Sequence, residues 1–127
     1  MLEAIHLACC AYMTGIIWFV QCIHYPSMST ETEHEKYMRT MGLLVGPVMI
    51  VEMCCQSVLL FTQPDLVVYL CSALLIIVWF STFLIQVPLH NLLTHGTHSS
   101  AQRRLVASNW VRTVAWTART LILITTF

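Results

Sequence analysis

The C-terminal stretch from Leu105 to Phe127 reads LVASNWVRTVAWTARTLILITTF. It is long enough to cross about 30 Å of hydrocarbon as a helix, which takes roughly 20 residues. Two arginines, Arg112 and Arg119, nevertheless lie inside it. A charge in the centre of a bilayer costs about 2.5–3.5 kcal/mol on insertion scales, so such groups normally face a partner or a ligand. The stretch therefore predicts a membrane-embedded fold with a polar interior.

Three further apolar runs have spanning length: Ala4 to Tyr25, Met41 to Thr62 and Leu66 to His90. The chain is 57% hydrophobic and 9% charged, whereas a soluble domain is about 25% charged. The runs do not alternate with period two, and lipid offers no water to backbone groups, so each run should be a helix. The sequence predicts an all-α integral membrane protein with one four-span domain over residues 1–127.

The connections between the runs are short, which favours an up-down-up-down four-helix bundle. Lys36 and Arg39 lie in the first connection, and Arg103 and Arg104 lie in the third. By the positive-inside rule these connections are predicted to be cytoplasmic and both termini outside. The formal net charge of zero gives no argument for a nucleic-acid partner.

A polar stripe runs along the last span. Asn109, Arg112, Trp116 and Arg119 are spaced three, four and three residues apart, so they share one helix face. Counting about 1.5 Å per residue, Glu52 on the second span lies at a depth between the two arginines. One carboxylate could therefore reach either guanidinium.

Two interpretations of these charges stay open. In the first, they form a structural ion pair and the second arginine extends to the interface. In the second, two arginines against one glutamate require an anionic ligand, a lipid head group or an acid from another chain. The predicted ligand-binding residues are Arg112, Arg119, Glu52, Gln56, Asn109, Gln21, Gln86 and Trp116.

Histidines gather at one side of the predicted bundle. His24 ends the first span beside Gln21, and His90 ends the third beside Gln86. Inward side chains on facing helices build metal sites in bundles, so His24 and His90 could ligate haem iron, or share a metal ion with a glutamate or with His34. The alternative is that these histidines cap helix ends at the interface. The six cysteines form no C-x-x-C pair and are expected to be small packing residues.

A resemblance covers nearly the whole chain. It rests on Trp18, Gln21, His24, Tyr25, Pro26, Pro47, Glu52, Pro88, His90, Asn109, Trp110, Val111, Arg112, Thr113, Trp116 and Arg119. In these residues the chain resembles a widespread bacterial family of four-span membrane proteins of unassigned function, and this resemblance implies a bacterial inner membrane. More distantly, it is similar to anthrone-oxygenase-like membrane proteins and to four-span copper-resistance and haem-biosynthesis membrane proteins. Members of the bacterial family that the chain resembles often carry more histidines in the loop after the first span, where this chain has Glu33, His34 and Tyr37.

Three functions are compatible with these features. The first is a membrane binding or redox module whose polar core holds an anionic, haem-like or quinone-like ligand. The second is a non-catalytic accessory subunit of a larger membrane complex or homo-oligomer. The third is a small proton-coupled or cation-coupled transporter that uses Glu52, although the nearby arginines would keep that carboxylate ionised. Membrane lipid is the expected partner of the outer surface.

Overall fold

The computed structural model describes residues 1–27, 31–95 and 99–126, without the side chains of residues 31–34 and 99. Over these residues the chain forms four helices and no strand. Helix α1 is Leu2–Ser27, α2 is Glu31–Thr62, α3 is Leu66–Thr94 and α4 is Ser99–Thr126. The prediction of an all-α bundle is confirmed. The side chain of His34 lies outside the described residues, so its predicted metal role stays a prediction.

The four helices pack as a square. Helices α1 and α3 each contact both α2 and α4, so α2 lies diagonally opposite α4 across the interior. We call the end with Met1, Thr126 and the turn at Gln63–Asp65 the terminal face, and the opposite end the connection face. At the terminal face Asp65 caps α3, because its carboxylate accepts a hydrogen bond of 2.8 Å from the amide of Val68.

The outer surface of the bundle suits lipid. Helices α1, α2 and α3 are long and apolar enough to cross a membrane, with mean hydropathies of 1.5, 2.0 and 2.4. Large apolar side chains on α3, including Ile76, Phe80 and Leu84, are more than half exposed. Helix α4 has spanning length, but its polar inward stripe lowers its mean hydropathy, and its crossing of the membrane stays a prediction.

Two helices contain a short π-helical segment, Val20–His24 in α1 and Thr82–Gln86 in α3. Each segment ends two residues before a proline, Pro26 or Pro88. A proline lacks its N–H and crowds the carbonyl four residues earlier, and the wider turn accommodates this. Because α1 and α3 run in the same direction, both π segments lie at the same level on either side of α4.

Along α4, apolar and polar layers alternate. From the connection face the buried order is Leu105, then Asn109 and Arg112, then Ala115 and Trp116, then Arg119, then Leu123. Leu105, Trp116 and Leu123 belong to three separate apolar clusters. The apolar layer around Trp116 therefore divides the polar interior into two separate groups, one around each arginine.

Candidate functional site

The group nearer the terminal face is built on an ion pair between Glu52 and Arg119, both fully buried. The Glu52 carboxylate also accepts hydrogen bonds from Trp116 Nε1, at 3.2 and 3.1 Å to its two oxygens, and from Cys10 Sγ at 3.0 Å. We call this group the ion-pair cluster; its members are Glu52, Arg119, Trp116 and Cys10, together with His6 and Gln56, which are described next. It joins α1, α2 and α4 across the diagonal of the bundle.

The remaining donors of Arg119 are largely used within the same cluster. Its Nη2 lies 3.0 Å from His6 Nε2 and 3.2 Å from Gln56 Oε1. A guanidinium can only donate, so His6 Nε2 accepts and His6 carries its hydrogen on Nδ1. Gln56 Nε2 in turn donates to Ser72 Oγ at 2.9 Å, which ties the cluster to α3. The cluster is neutral in charge, and its predicted ligand-binding residues bind one another.

The second group surrounds Arg112, whose side chain is about nine-tenths buried. Arg112 Nε donates to Asn109 Oδ1 at 3.0 Å, and Nη2 donates to the same oxygen and to Gln86 Oε1 at 3.3 Å. Nη1 lies 3.5 Å from Thr82 Oγ1. All of these acceptors are neutral. Within residues 1–27, 31–95 and 99–126, wherever side chains are described, no carboxylate pairs with Arg112.

The two glutamines of the π segments orient this group. Gln21 Nε2 donates to the Val106 carbonyl at 3.3 Å, and Gln86 Nε2 donates to Ser108 Oγ at 2.9 Å. Their nitrogens are therefore held by α4, and their oxygens turn inward. Gln21 Oε1 accepts from Asn109 Nδ2 at 2.8 Å, while Gln86 Oε1 accepts from Arg112. We call Gln21, Gln86, Asn109 and Arg112 the arginine cradle.

A cavity of about 350 Å³ adjoins the cradle. It lies between α2 and α3, and α1 and α4 close its inner side. Its walls are mostly apolar, and its polar lining includes Arg112, Tyr25, Gln86 and His90. Ile50, Phe83 and Val87 also line it and are each more than a third exposed on the outer surface. The cavity therefore opens sideways between α2 and α3, towards the apolar outer surface of the bundle, which suits lipid.

The predicted metal-ligating histidines lie in different environments. His90 lines the cavity, and its Nε2 is 3.4 Å from the hydroxyl of Tyr25, which also donates to Gln86 Oε1 at 3.2 Å. His24 stacks on the ring of Tyr37, with ring centroids 3.2 Å apart. Of the histidines predicted as haem or metal ligands and described here, His90 therefore lines the cavity and His24 does not.

One cluster in the described part of the chain has metal-ligand composition. His6, Cys10 and Glu52 are fully buried and offer ligand atoms within 4.8 Å of one another. The guanidinium of Arg119 contacts both His6 and Glu52, so a cation already occupies the position between them. This arrangement satisfies the carboxylate without a metal ion.

Sequence reasoning missed His6, Cys10 and Tyr25. A signal for His6 was present, because His6 near the start of α1 and Arg119 near the end of α4 lie at similar depths below the terminal face when each residue is counted as about 1.5 Å. Cys10 was expected to be a packing residue, and it donates a hydrogen bond to Glu52 instead.

No protein-family model, curated protein or solved structure matches the chain. What the site can do therefore follows from its own geometry.

Proposed function

We propose that the protein is an integral membrane binding module that holds a membrane-soluble molecule by an anionic or oxygen-bearing head group at Arg112. One observation carries this proposal. Arg112 is a permanently charged, nearly buried side chain that has only neutral hydrogen-bond partners among the described residues and lines a cavity of about 350 Å³.

The physical argument is the balance of charge. A buried charge without a counter-charge is strongly disfavoured in a medium of low dielectric constant. Arg119 meets this requirement through Glu52, but the amide oxygens around Arg112 supply only partial charges. A ligand oxygen, and above all an anionic one, would complete the coordination of the guanidinium. Arginine suits this task because its planar fork of N–H groups binds two oxygens at once.

The walls of the cavity indicate where the ligand comes from. An apolar cavity with a few convergent polar groups is the usual form of a small-molecule site, and this one opens between two lipid-facing helices. The ligand therefore enters from the bilayer, with its head group at Arg112 and its apolar body along α2 and α3. A haem held by His24 and His90 needs both histidines at the cavity, and His24 is not among the described residues that line it, so a quinone-like or lipid-like amphiphile fits better.

The transporter alternative has less support. Glu52 is ion-paired with Arg119 and is not among the residues that line the cavity. A coupling carboxylate has to change its protonation state and its access to the site. An ionised glutamate held by arginine, tryptophan and cysteine donors is poorly suited to that.

The experiment that tests the proposal is analysis of bound molecules. Wild-type protein and the variants Arg112→Gln and Arg103→Gln are purified in mild detergent, extracted and examined by mass spectrometry. We expect an amphiphile with an acidic or oxygen-bearing head group in the wild type and in Arg103→Gln, where an exposed charge is removed. Arg112→Gln should retain less than a tenth of it. Equal amounts in all three proteins would overturn the proposal, and an absorption band of haem would redirect it to a cofactor.

We further propose that the connection face is cytoplasmic and that the membrane is a bacterial inner membrane. The support for the orientation is the distribution of Lys36, Arg39, Arg103 and Arg104, which all lie towards the connection face. The support for a bacterial membrane is the resemblance to bacterial four-span proteins.

A further inference from the structure

Two glycines widen the cavity. Gly42 and Gly46 lie one turn apart on α2, and both line the cavity. A Cβ atom built on either glycine would meet no atom of the described residues within 4 Å. Glycines at this spacing in membrane helices usually let another helix approach closely, but no helix among the described residues occupies this space. The absent side chains leave cavity volume instead.

The size and lining of the cavity favour a ring over a chain. A cavity of about 150 Å³ in another protein holds a benzene molecule, and this cavity has a volume of about 350 Å³. Five aromatic side chains line it: Tyr25, Tyr37, Trp79, Phe83 and Trp116. Aromatic side chains pack favourably on other rings in offset or edge-on arrangements. A single acyl chain is narrower than a ring and would fit without the space that Gly42 and Gly46 leave.

Hydrogen bonds to Glu52, which does not line the cavity, fix the orientation of Trp116. Its indole nitrogen donates to both oxygens of Glu52, so its ring forms a rigid part of the cavity wall. Arg112 precedes Trp116 by four residues on α4, which places the two side chains on one helix face about 5–6 Å apart at Cβ. A six-membered ring bearing an oxygen spans a separation of this order.

We propose that the ligand is a ring-bearing amphiphile of the quinone class, and that Gly42 and Gly46 are specificity-determining residues that make room for its ring. The ring lies between the glycine wall of α2 and Trp116, one ring oxygen accepts from Arg112, and the apolar tail leaves between α2 and α3. This proposal rests on the function proposed above and adds the class of ligand.

The test compares two probes on four proteins in lipid nanodiscs. The probes are 2-methyl-1,4-naphthoquinone, which has a ring and no tail, and oleate, which has a carboxylate and one chain. The proteins are the wild type, Gly42→Ala, Gly46→Ala and Gly15→Ala. Gly15 is the matched control, because a Cβ there also meets no atom within 4 Å but Gly15 does not line the cavity. Quenching of tryptophan fluorescence reports the quinone, and competition reports oleate.

We expect each cavity alanine to weaken naphthoquinone binding at least tenfold and oleate binding less than threefold. Gly15→Ala should change neither. Alanine is the better helix former, so all three variants should melt no lower than the wild type. Unchanged quinone affinity in both cavity variants, or equal loss of both probes, would overturn the assignment of a ring to this wall.

A fifth protein, Arg112→Gln, separates the two proposals. Loss of both probes in this variant supports the head-group site at Arg112. If the wild type binds oleate in an Arg112-dependent way but does not bind naphthoquinone, the ring assignment fails and the proposed function stands. If Arg112→Gln binds both probes as well as the wild type does, the proposed function itself fails.

Discussion

Arg112 and Arg119 lie seven residues apart on the same face of one helix, yet they have different surroundings. Arg119 is fully buried and paired with Glu52, with His6 and Gln56 as further acceptors. Arg112 is held by neutral oxygens and lines a cavity open to the outer surface. The first arrangement contains its own counter-charge, although Arg119 Nε and His6 Nδ1 have no hydrogen-bond partner among the described residues. The second has no counter-charge among those residues. The comparison separates a residue that stabilises the fold from one that we propose binds a ligand.

The largest expected effect is on stability when the ion pair is broken. Arg119→Leu leaves the Glu52 carboxylate buried without a counter-charge, which costs about 3–5 kcal/mol. The control Arg103→Leu removes an exposed charge and should change the free energy of unfolding by less than about 0.5 kcal/mol. Thermal unfolding in detergent measures both. Equal stability of the two variants would remove the distinction between a structural and a surface arginine.

The double variant Arg119→Leu with Glu52→Gln sharpens that result. The neutral glutamine no longer needs a counter-charge and still offers an oxygen to Trp116. We expect the double variant to recover about 1–2 kcal/mol relative to Arg119→Leu alone. A double variant less stable than the single one would show that the charge of Glu52 is compensated by another group.

Arg112→Met should have a smaller effect on stability than Arg119→Leu. The substitution leaves Asn109 Oδ1 without a donor, which costs about 1–3 kcal/mol, while Gln86 Oε1 keeps its hydrogen bond from the Tyr25 hydroxyl. It also removes a buried charge that has no counter-charge among the described residues. We expect a net loss below about 2 kcal/mol together with loss of the bound amphiphile. A stability loss as large as that of Arg119→Leu would mean that both arginines act mainly to stabilise the fold.

Trp116→Phe tests the boundary between the two regions. It keeps an aromatic wall for the cavity but removes one of the donors to Glu52, at a cost of about 1–2 kcal/mol. Trp110→Phe serves as the control, since Trp110 is 44% exposed and lies outside the cavity. Quinone affinity should fall less than threefold in both variants. A loss as large as that of Gly46→Ala would mean that the indole nitrogen also acts on the ligand.

The last prediction concerns sidedness and should leave stability unchanged. Single cysteines are placed at Ser100 and Gln63, both exposed, on a cysteine-free background that carries Cys10→Ser. In intact cells an impermeant reagent should label Gln63→Cys and should not label Ser100→Cys, because the basic connections are predicted to be cytoplasmic. The opposite pattern would place the ion-pair cluster nearer the cytoplasm and the arginine cradle nearer the outside.

Much of the fold could be predicted because membrane burial imposes strong local rules. Run lengths and the lack of alternation indicated helices, and the spacing of Asn109, Arg112, Trp116 and Arg119 placed all four on one buried face. Depth counting placed Glu52 between the arginines. It left open which arginine Glu52 contacts, since the rotation of α2 about its own axis does not follow from depth.

Other features had no local signal. The π segments bring Gln21 and Gln86 to the same level around Asn109 and Arg112, and a proline alone does not reveal whether a helix kinks or widens. Gly42 and Gly46 match a close-packing motif in sequence, yet the neighbouring helix stays away from them. Whether glycine marks a contact or a cavity depends on where the other helices lie.

By itself, the sequence determined that this is a four-helix protein with an apolar exterior and an excess of buried positive charge, because those properties follow from hydrophobic periodicity and from counting ionisable groups. Only the tertiary structure decided that Glu52 pairs with Arg119 and that Arg112 lines a cavity. Pairing energies and empty volume depend on distances of a few ångströms between side chains on different helices. Those distances are set by the packing of the whole bundle and by no single segment of it.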